Sequence, residues 1–248
     1  MDTKTLIKYA TRVSYVLGGF LALLLVLSLV ILELNKNPDA VARKRKADEI
    51  FGPKVVNQNL PKPWPPEMNQ PYPELSLIDS KGAPFKLSDK KGKVMVVEYI
   101  DMSSPLSQSY SGAKEKGVYG GATKTFDEGV SRFEEIASKE NQGQAVLPSP
   151  DIIFIKVIIY NENGEQAKSS DAELWEKHFG FTSDNNYFVT VPEKDIRDKL
   201  TDRIVPGFHL IDKEFNLRVD SAGSEPKHSL QFRLVTMIPT LLAAEVEE

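Results

Sequence analysis

The sequence predicts an α/β domain in which helices pack on a mixed β-sheet, preceded by one transmembrane helix. Residues 94–100 and 152–160 are continuous apolar, β-branched runs, typical of strands covered on both faces. An amphipathic pattern at residues 126–137 separates them, so the order strand, helix, strand predicts a parallel pair. Residues 13–32 carry no charge, and twenty helical residues match the ~30 Å hydrocarbon core of a bilayer.

The membrane segment is predicted to be an uncleaved anchor over residues 13–33, after an N-terminal flank of residues 1–12. A signal peptide has a shorter apolar stretch and a small-x-small cleavage site, whereas Glu33 and Lys36 follow this one. Basic residues stand on both sides of the span, so charge counting does not decide its orientation.

A short juxtamembrane helix is predicted within residues 34–52, because Pro38 suits a first helical position and Gly52-Pro53 is a stop signal. Its basic run at residues 43–46 has two interpretations that the sequence leaves open. The run binds anionic lipid head groups, or it is a solvated helix face.

Residues 53–74 contain seven prolines, which excludes a helix or a central strand. We expect an extended, stiff linker that holds the following domain away from the membrane. Trp64 and Tyr72 within it are expected to pack on that domain.

The domain is predicted to cover residues 75–248. A hairpin is expected at 75–87 around Ser80-Lys81-Gly82, and a second where the strand after Pro206 turns back at residues 212–216. Further elements are expected as helices at 172–179, 192–200 and 227–245, the last kinked by Pro239, and as a strand at 187–191.

Composition excludes several functions. The net charge is −4 and the pI about 5.6, so there is no global footprint for nucleic acid. The chain has no cysteine, which excludes disulfides, thiolate metal sites, Fe–S clusters and peroxidatic chemistry. The three histidines, His178, His209 and His228, are scattered, so no metal site and no cofactor are expected.

The stretch "PELSLIDSKGAPFKLSDKKGKVMVVEYIDMSSPLSQS", followed later by "IVPGFHLIDKEFNLRVDSAG", resembles the thioredoxin-like superfamily, in particular its membrane-anchored thiol-disulfide oxidoreductases and the alkyl-hydroperoxide-reductase or redoxin branch. The resemblance implies a three-layer α/β/α sandwich with a mixed sheet. It places Ser104 and Ser107 at the two redox cysteine positions and Pro206 at the cis-proline position. Insertions are expected near residues 109–124, as a mobile glycine-rich loop, and near 161–200.

A serine hydroxyl supplies neither the thiolate nucleophile nor the sulfur leaving group of disulfide exchange. The sequence therefore predicts a redox-inactive, non-enzymatic domain that serves as a binding, scaffold or accessory subunit of a membrane complex. The resemblance favours a single-pass protein with its domain on the periplasmic, exported side. Ser104 either caps the helix or belongs to a remnant ligand or peptide groove. The candidate partner contacts are Ser104, Pro105, Ser107, Tyr110, Tyr119, Pro206 and His209.

Two enzymatic alternatives remain open. In one, the natural protein is a thiol oxidoreductase whose cysteines were replaced by serine. In the other, catalysis proceeds without sulfur through Ser104 or Tyr110, for instance in a Ser104–His209–Asp101 hydrolase constellation, although no nucleophile-elbow spacing accompanies it. Residues 112–117 imitate the spacing of a phosphate-binding loop but continue with Val118-Tyr119, where lysine and a hydroxyl residue are required.

Overall fold

The computed structural model describes residues 57–141 and 149–244. Their seven strands form one sheet in the order β2-β1-β5-β4-β3-β6-β7. The strands are β1 (Leu77–Asp79), β2 (Pro84–Phe85), β3 (Val94–Asp101), β4 (Ile152–Tyr160), β5 (Tyr187–Pro192), β6 (Gly207–Ile211) and β7 (Leu217–Ala222).

Six α-helical segments accompany the sheet within the described ranges. They are α1 (Pro105–Ser111), α2 (Ala113–Lys116), α3 (Phe133–Glu140), α4 (Ser169–Phe179), α5 (Lys199–Asp202) and α6 (Thr236–Ala243). Two 3₁₀ turns, Leu87–Lys90 and Ser183–Asn185, and a π-helical turn, Leu230–Val235, complete them.

The predicted strand–helix–strand unit is confirmed. β3 and β4 pair in parallel from Val94↔Ile152 onward, and β4 pairs in parallel with β5. β6 runs antiparallel to β3 and β7 antiparallel to β6, while β1 and β2 form the predicted hairpin beside β5. The sheet is therefore mixed, and with its helices it forms the predicted α/β fold.

Side-chain alternation along the central strands builds two cores, because successive residues of a strand point to opposite faces. Val94, Val96 and Ile100 of β3 face a first core, whereas Met95, Val97 and Tyr99 face a second. Helices α3, α4 and α6 cover the first core with Phe133, Ile136, Trp175, Phe179, Ile238 and Leu241.

The second face corrects the predicted α/β/α layering. Irregular segments cover most of this face, and they contribute Leu60, Tyr72, Ile196 and Ile204. The 3₁₀ turn at Leu87 and the four-residue α5 complete the cover. Only the first face carries the longer helices of the described chain.

Residues 57–75, most of the stretch predicted to be a stiff linker, form a strap across this second face. Asn69 N–H donates to Leu217 O at 2.7 Å and Tyr72 N–H to Phe215 O at 2.8 Å. Trp64 packs edge-on against Tyr99, with ring centroids 6.0 Å apart. The expectation that Trp64 and Tyr72 pack on their own domain is confirmed.

Two predicted helices are shorter than expected because local hydrogen bonds compete with the helix. The backbone of Asp127 bonds to the hydroxyl of Ser109, and α3 begins only at Phe133. Pro192 ends β5 instead of opening a helix, and Asp198 caps the short α5 by accepting from Leu200 N–H and Thr201 N–H.

The C-terminal helix begins later than residue 227. His228 N–H donates to Asp220 O at 3.0 Å, and Ser229 caps the π-helical turn that leads into α6. Within residues 57–141 and 149–244, no helix combines the length and apolar character needed to cross a bilayer. The predicted membrane helix at 13–33 and the juxtamembrane helix at 34–52 lie outside the described residues.

Candidate functional site

The serine loop, residues 102–107, follows the carboxyl end of β3 and includes the first turn of α1. Ser104 N–H donates to Asp101 O at 2.9 Å, and Ser104 O accepts the first helical bond from Gln108 N–H at 3.1 Å. The backbone of Ser104 is extended, as an N-cap requires, but its side chain makes no capping hydrogen bond. Ser104 is thus a cap by backbone geometry, and its half-buried hydroxyl is not used in the cap.

Ser107 lies in the first turn of α1 and is completely buried. Its Oγ accepts a hydrogen bond from Asp101 N–H at 3.3 Å, which ties the helix to the end of β3. Asp101 in turn accepts from the backbone and the hydroxyl of Ser103, at 2.9 and 2.6 Å. The hydroxyl of Ser107 therefore takes part in holding the loop and is enclosed by protein.

The proline turn, residues 205–207, enters the sheet beside this loop. The Val205–Pro206 peptide bond is cis. Gly207 lies opposite Tyr99 in the antiparallel register, two residues before the end of β3. A Cβ on Gly207 would stand 2.3 Å from the Cα of Ala222, so only glycine permits this close approach of β6 and β7.

Tyr110 of α1 packs against β6. Its ring packs edge-on against Phe208, with centroids 5.0 Å apart, and the side chain is half-buried. Burial raises the pKa of the Tyr110 phenol, and the nearby carboxylates of Glu98 and Asp127 raise it further. The hydroxyl therefore stays protonated and is available as a hydrogen-bond donor.

The segment after α1, where the sequence predicts a glycine-rich insertion at 109–124, contacts the rest of the domain. The side-chain amide of Gln108 bonds both to Tyr119 N–H, at 2.9 Å, and to Tyr119 O, at 3.2 Å. The Tyr119 ring lies against Trp175 and His178 of α4, with centroids 5.6 Å away in each case. Part of the segment, moreover, is helical as α2.

His209 lies on β6 but is completely buried on the second face. Its Nδ1 is 2.8 Å from the Tyr72 hydroxyl, which also bonds the Tyr99 hydroxyl, and its Nε2 is 3.3 Å from Oδ1 of Asp220. Lys227 Nζ approaches the other oxygen of Asp220 at 2.9 Å. Both ring nitrogens of His209 thus face the strap and β7, and the Ser104–His209–Asp101 constellation is not assembled.

Burial reduces the number of predicted residues that could contact a partner. Ser107 and His209 are 0% exposed, so neither side chain touches a partner in this conformation, which corrects two of the predictions. Pro105 is exposed, and Ser104, Tyr110, Tyr119 and Pro206 are partly exposed. These five keep the role of candidate contacts.

A buried ion pair in the sheet was missed by the sequence reasoning. Lys156 of β4 and Glu98 of β3 stand opposite each other in the parallel register and bond directly. Burial raises the pKa of Glu98, although Lys156 opposes that rise. The sequence shows one charged residue inside each of these two apolar strands, which could have indicated a buried pair. Only the strand register shows that the two residues meet.

Groups of three or more carboxylate, histidine or cysteine side chains able to hold a metal ion are absent from the part of the chain that the structure describes. The histidines stay apart there: His178 bonds Gly117 O at 2.8 Å, and His228 lies beside the backbone of Asp220.

No family model matches the sequence, and no curated protein matches it. Structural similarity extends to the thioredoxin domain of a thiol-disulfide oxidoreductase from Bacteroides vulgatus, with 15% identity over 69% of this chain and 98% of that chain, at a TM-score of 0.40. Arabidopsis thaliana ScoI with copper bound shares 11% identity over 67% of this chain and 97% of that chain, at a TM-score of 0.42. The protein BsSco, a member of the Sco family of cytochrome c oxidase assembly proteins, shares 10% identity over 77% of this chain and 100% of that chain, at a TM-score of 0.42.

All three likenesses have identities of 15% or less and TM-scores below 0.5.

Proposed function

We propose that this protein is a membrane-anchored, redox-inactive thioredoxin-like domain that binds a protein partner as an accessory subunit of a membrane-associated complex. One observation carries the proposal. Ser104 stands at the N-cap of α1 and Ser107 in its first turn, beside the proline turn, in a chain without any cysteine.

Thiol–disulfide exchange is closed to this sequence on chemical grounds. The reaction passes through a mixed disulfide, which needs sulfur on the attacking and the leaving group. A helix N-terminus favours a thiolate through its free N–H groups and its dipole, but a serine hydroxyl does not ionise near neutral pH. The bond between Ser107 Oγ and Asp101 N–H gives one hydroxyl a structural use.

A domain of this fold that lacks thiol chemistry still has a surface that a protein partner can bind. Pro105 is exposed at the start of α1, and Tyr110, Tyr119 and Pro206 are half-buried nearby. Aromatic side chains contribute large contact area at interfaces, and loop residues on a rigid scaffold commonly carry binding. We assign the partner contact to this surface.

The test is site-specific crosslinking in the native membrane. A photo-crosslinking amino acid at residue 105 of the full-length protein is expected to give one covalent adduct of defined mass. The same group at Lys81, exposed in the β1–β2 hairpin, serves as the control and is expected to give none. A protein that stays monomeric in mild detergent and gives no adduct at residue 105 contradicts the accessory role.

Anchoring and orientation have a direct test because the chain has no cysteine. A single Lys81→Cys variant in intact cells is expected to react with a membrane-impermeant maleimide if the domain lies on the exported side. The chain should stay in the membrane fraction after a carbonate wash, owing to residues 13–33. Labelling only after lysis, or release by carbonate, contradicts the corresponding part of the proposal.

A second candidate is a thiol oxidoreductase whose cysteines were exchanged for serine. The cis-proline turn and the helix start at Pro105 are both retained, which an exchange of two side chains would leave intact. The codons for residues 104 and 107 in the natural gene decide between the two candidates.

A further inference from the structure

A groove of about 450 Å³ opens beside Tyr110 on the helical side of the sheet. One wall consists of α3 and the residues before it, including Val130, Glu135 and Glu140. The other wall is the start of the π-helical turn, with Ser229, Leu230 and Gln231. Tyr110 also contacts Phe208 of β6, so the groove borders the surface to which we assign partner binding.

The charged side chains that line the groove are more negative than positive. Among the described residues these are Glu135 and Glu140, with Lys139 as the one cation of the lining. The nearby Arg132 is engaged by Glu134 at 2.8 Å. Burial raises the pKa of Tyr110, and the charges of Glu98 and Asp127 raise it further. Such a field attracts a cationic group more than an anionic one.

The same groove has an apolar component. Val130, Ile136 and Leu230 line it. Phe232 is not part of that lining but follows Leu230 by two residues in the same turn. Phe232 is 75% exposed, more than Leu174 at 48%, and these are the large apolar side chains most exposed in the described chain. Its turn is π-helical, with Leu234 N–H bonded to Ser229 O at 3.1 Å, and such turns are frequent at functional sites.

We propose that this groove binds an extended segment of a protein partner in which a lysine or arginine stands next to a large apolar side chain. The cation faces Glu135 and Glu140, and the Tyr110 hydroxyl donates to a backbone carbonyl of the segment. The apolar side chain packs on Leu230 and Phe232, which removes Phe232 from water. This inference rests on the proposed accessory function, whose binding surface it makes specific.

The experiment is peptide selection on the full-length protein held in detergent. A displayed library of random nine-residue peptides is expected to yield binders with lysine or arginine beside leucine, isoleucine, phenylalanine or tryptophan. The strongest peptide, made synthetically with a fluorophore, is then titrated by anisotropy. Binding should weaken as salt rises from about 0.05 to about 0.5 M, because ions screen exposed charges.

Variants assign the binding to the groove. Glu135→Lys/Glu140→Lys is expected to weaken the peptide at least about tenfold, since like charges then face each other. The double variant Glu193→Lys/Glu225→Lys makes the same charge change at exposed positions outside the groove lining and should bind within about twofold of wild type. Phe232→Ser is expected to lower the affinity for the peptide about tenfold. Leu174→Ser on α4 is its control and should change the affinity little.

Selected peptides without basic residues, or equal affinities for the groove and control variants, overturn the inference. The inference is also overturned if a partner is captured at residue 105 and binds the groove variants as well as wild type. That outcome leaves the accessory role intact. Basic-apolar peptides that bind the groove, with no adduct at residue 105 in membranes, support the groove and contradict the accessory role.

Discussion

Lys156 on β4 donates to Glu98 on the neighbouring β3, and both side chains are only 3% exposed. The pair faces the first core, where Lys156 Nζ also lies 4.4 Å from the ring centroid of Phe181. Two full charges are thus enclosed in the sheet, and each depends on the other because an unpaired buried charge is costly.

Removing one partner of this pair should be far more damaging than removing both. We expect Lys156→Met to lower the free energy of unfolding by about 3–5 kcal/mol, and Lys156→Met/Glu98→Leu to recover most of that loss. Denaturant titration of the full-length chain in detergent measures both. Lys93→Met breaks an exposed pair with Asp151 and should cost at most about 1 kcal/mol. A double variant as unstable as the single one would contradict the account.

Cysteines restored at the serine positions should form a disulfide. Residues 104 and 107 are the N-cap and the third residue of α1, and residues three apart at a helix start are neighbours on one face, within reach of the ~4.4–6.8 Å between Cα atoms that a disulfide spans. After oxidation by glutathione disulfide, Ser104→Cys/Ser107→Cys is expected to lose both free thiols and the mass of two hydrogen atoms.

The matched control is Ser104→Cys/Ser111→Cys. Seven helical residues span about 10.5 Å, too far for a disulfide, so both thiols should remain free. Free thiols in the Ser104→Cys/Ser107→Cys variant would show that the serine loop does not retain the redox geometry.

Gly223 should tolerate no side chain. Its φ is +80°, and a Cβ would stand 1.7 Å from Arg203 O, so Gly223→Ala must move backbone next to the proline turn. We expect a loss of about 3 kcal/mol or more in the free energy of unfolding. Gly180 also has a positive φ, +76°, but open space around it, and Gly180→Ala should cost about 1–2 kcal/mol. Equal losses would show that the clash with Arg203 relaxes freely.

Tyr72 should hold the strap through its hydroxyl. Tyr72→Phe keeps the ring against Phe215 but removes the bonds to Tyr99 and His209, and leaves those buried groups with fewer partners. We expect about 1–3 kcal/mol of destabilisation and faster hydrogen exchange at residues 69–72. Tyr119 bonds Gln108 through its backbone, so Tyr119→Phe should leave exchange in the strap unchanged.

Asp220 should make stability depend on acid pH. Burial alone raises the pKa of Asp220, but the hydrogen bonds and charges of His209 and Lys227 outweigh it and hold that pKa well below its usual range. A lowered folded-state pKa adds stability above the unfolded-state pKa of about 3.9, and the gain disappears as the pH falls below that value. Between about pH 6 and about pH 2, Asp220→Asn should therefore lose stability less steeply than wild type.

The control for this pH dependence is Asp89→Asn, which changes an exposed carboxylate on the 3₁₀ turn. Its curve of unfolding free energy against pH should run parallel to wild type. Parallel curves for Asp220→Asn as well would contradict the role of the His209–Asp220–Lys227 cluster.

The sequence determined the elements whose evidence is local. Apolar runs identified β3 and β4, and Pro206-Gly207 marked the turn before β6, because strand burial and proline geometry leave their pattern in consecutive residues. The absence of cysteine decided by itself that thiol chemistry is closed.

Only the tertiary structure decided what depends on residues far apart in the chain. The meeting of Glu98 with Lys156, the burial of His209 between Tyr72 and Asp220, and the packing of the strap on the second face follow from strand register and long-range packing. A linear pattern shows which residues prefer burial, but not which neighbour each one meets, because sheet pairing brings together positions as far apart in the chain as Met95 and Ile211.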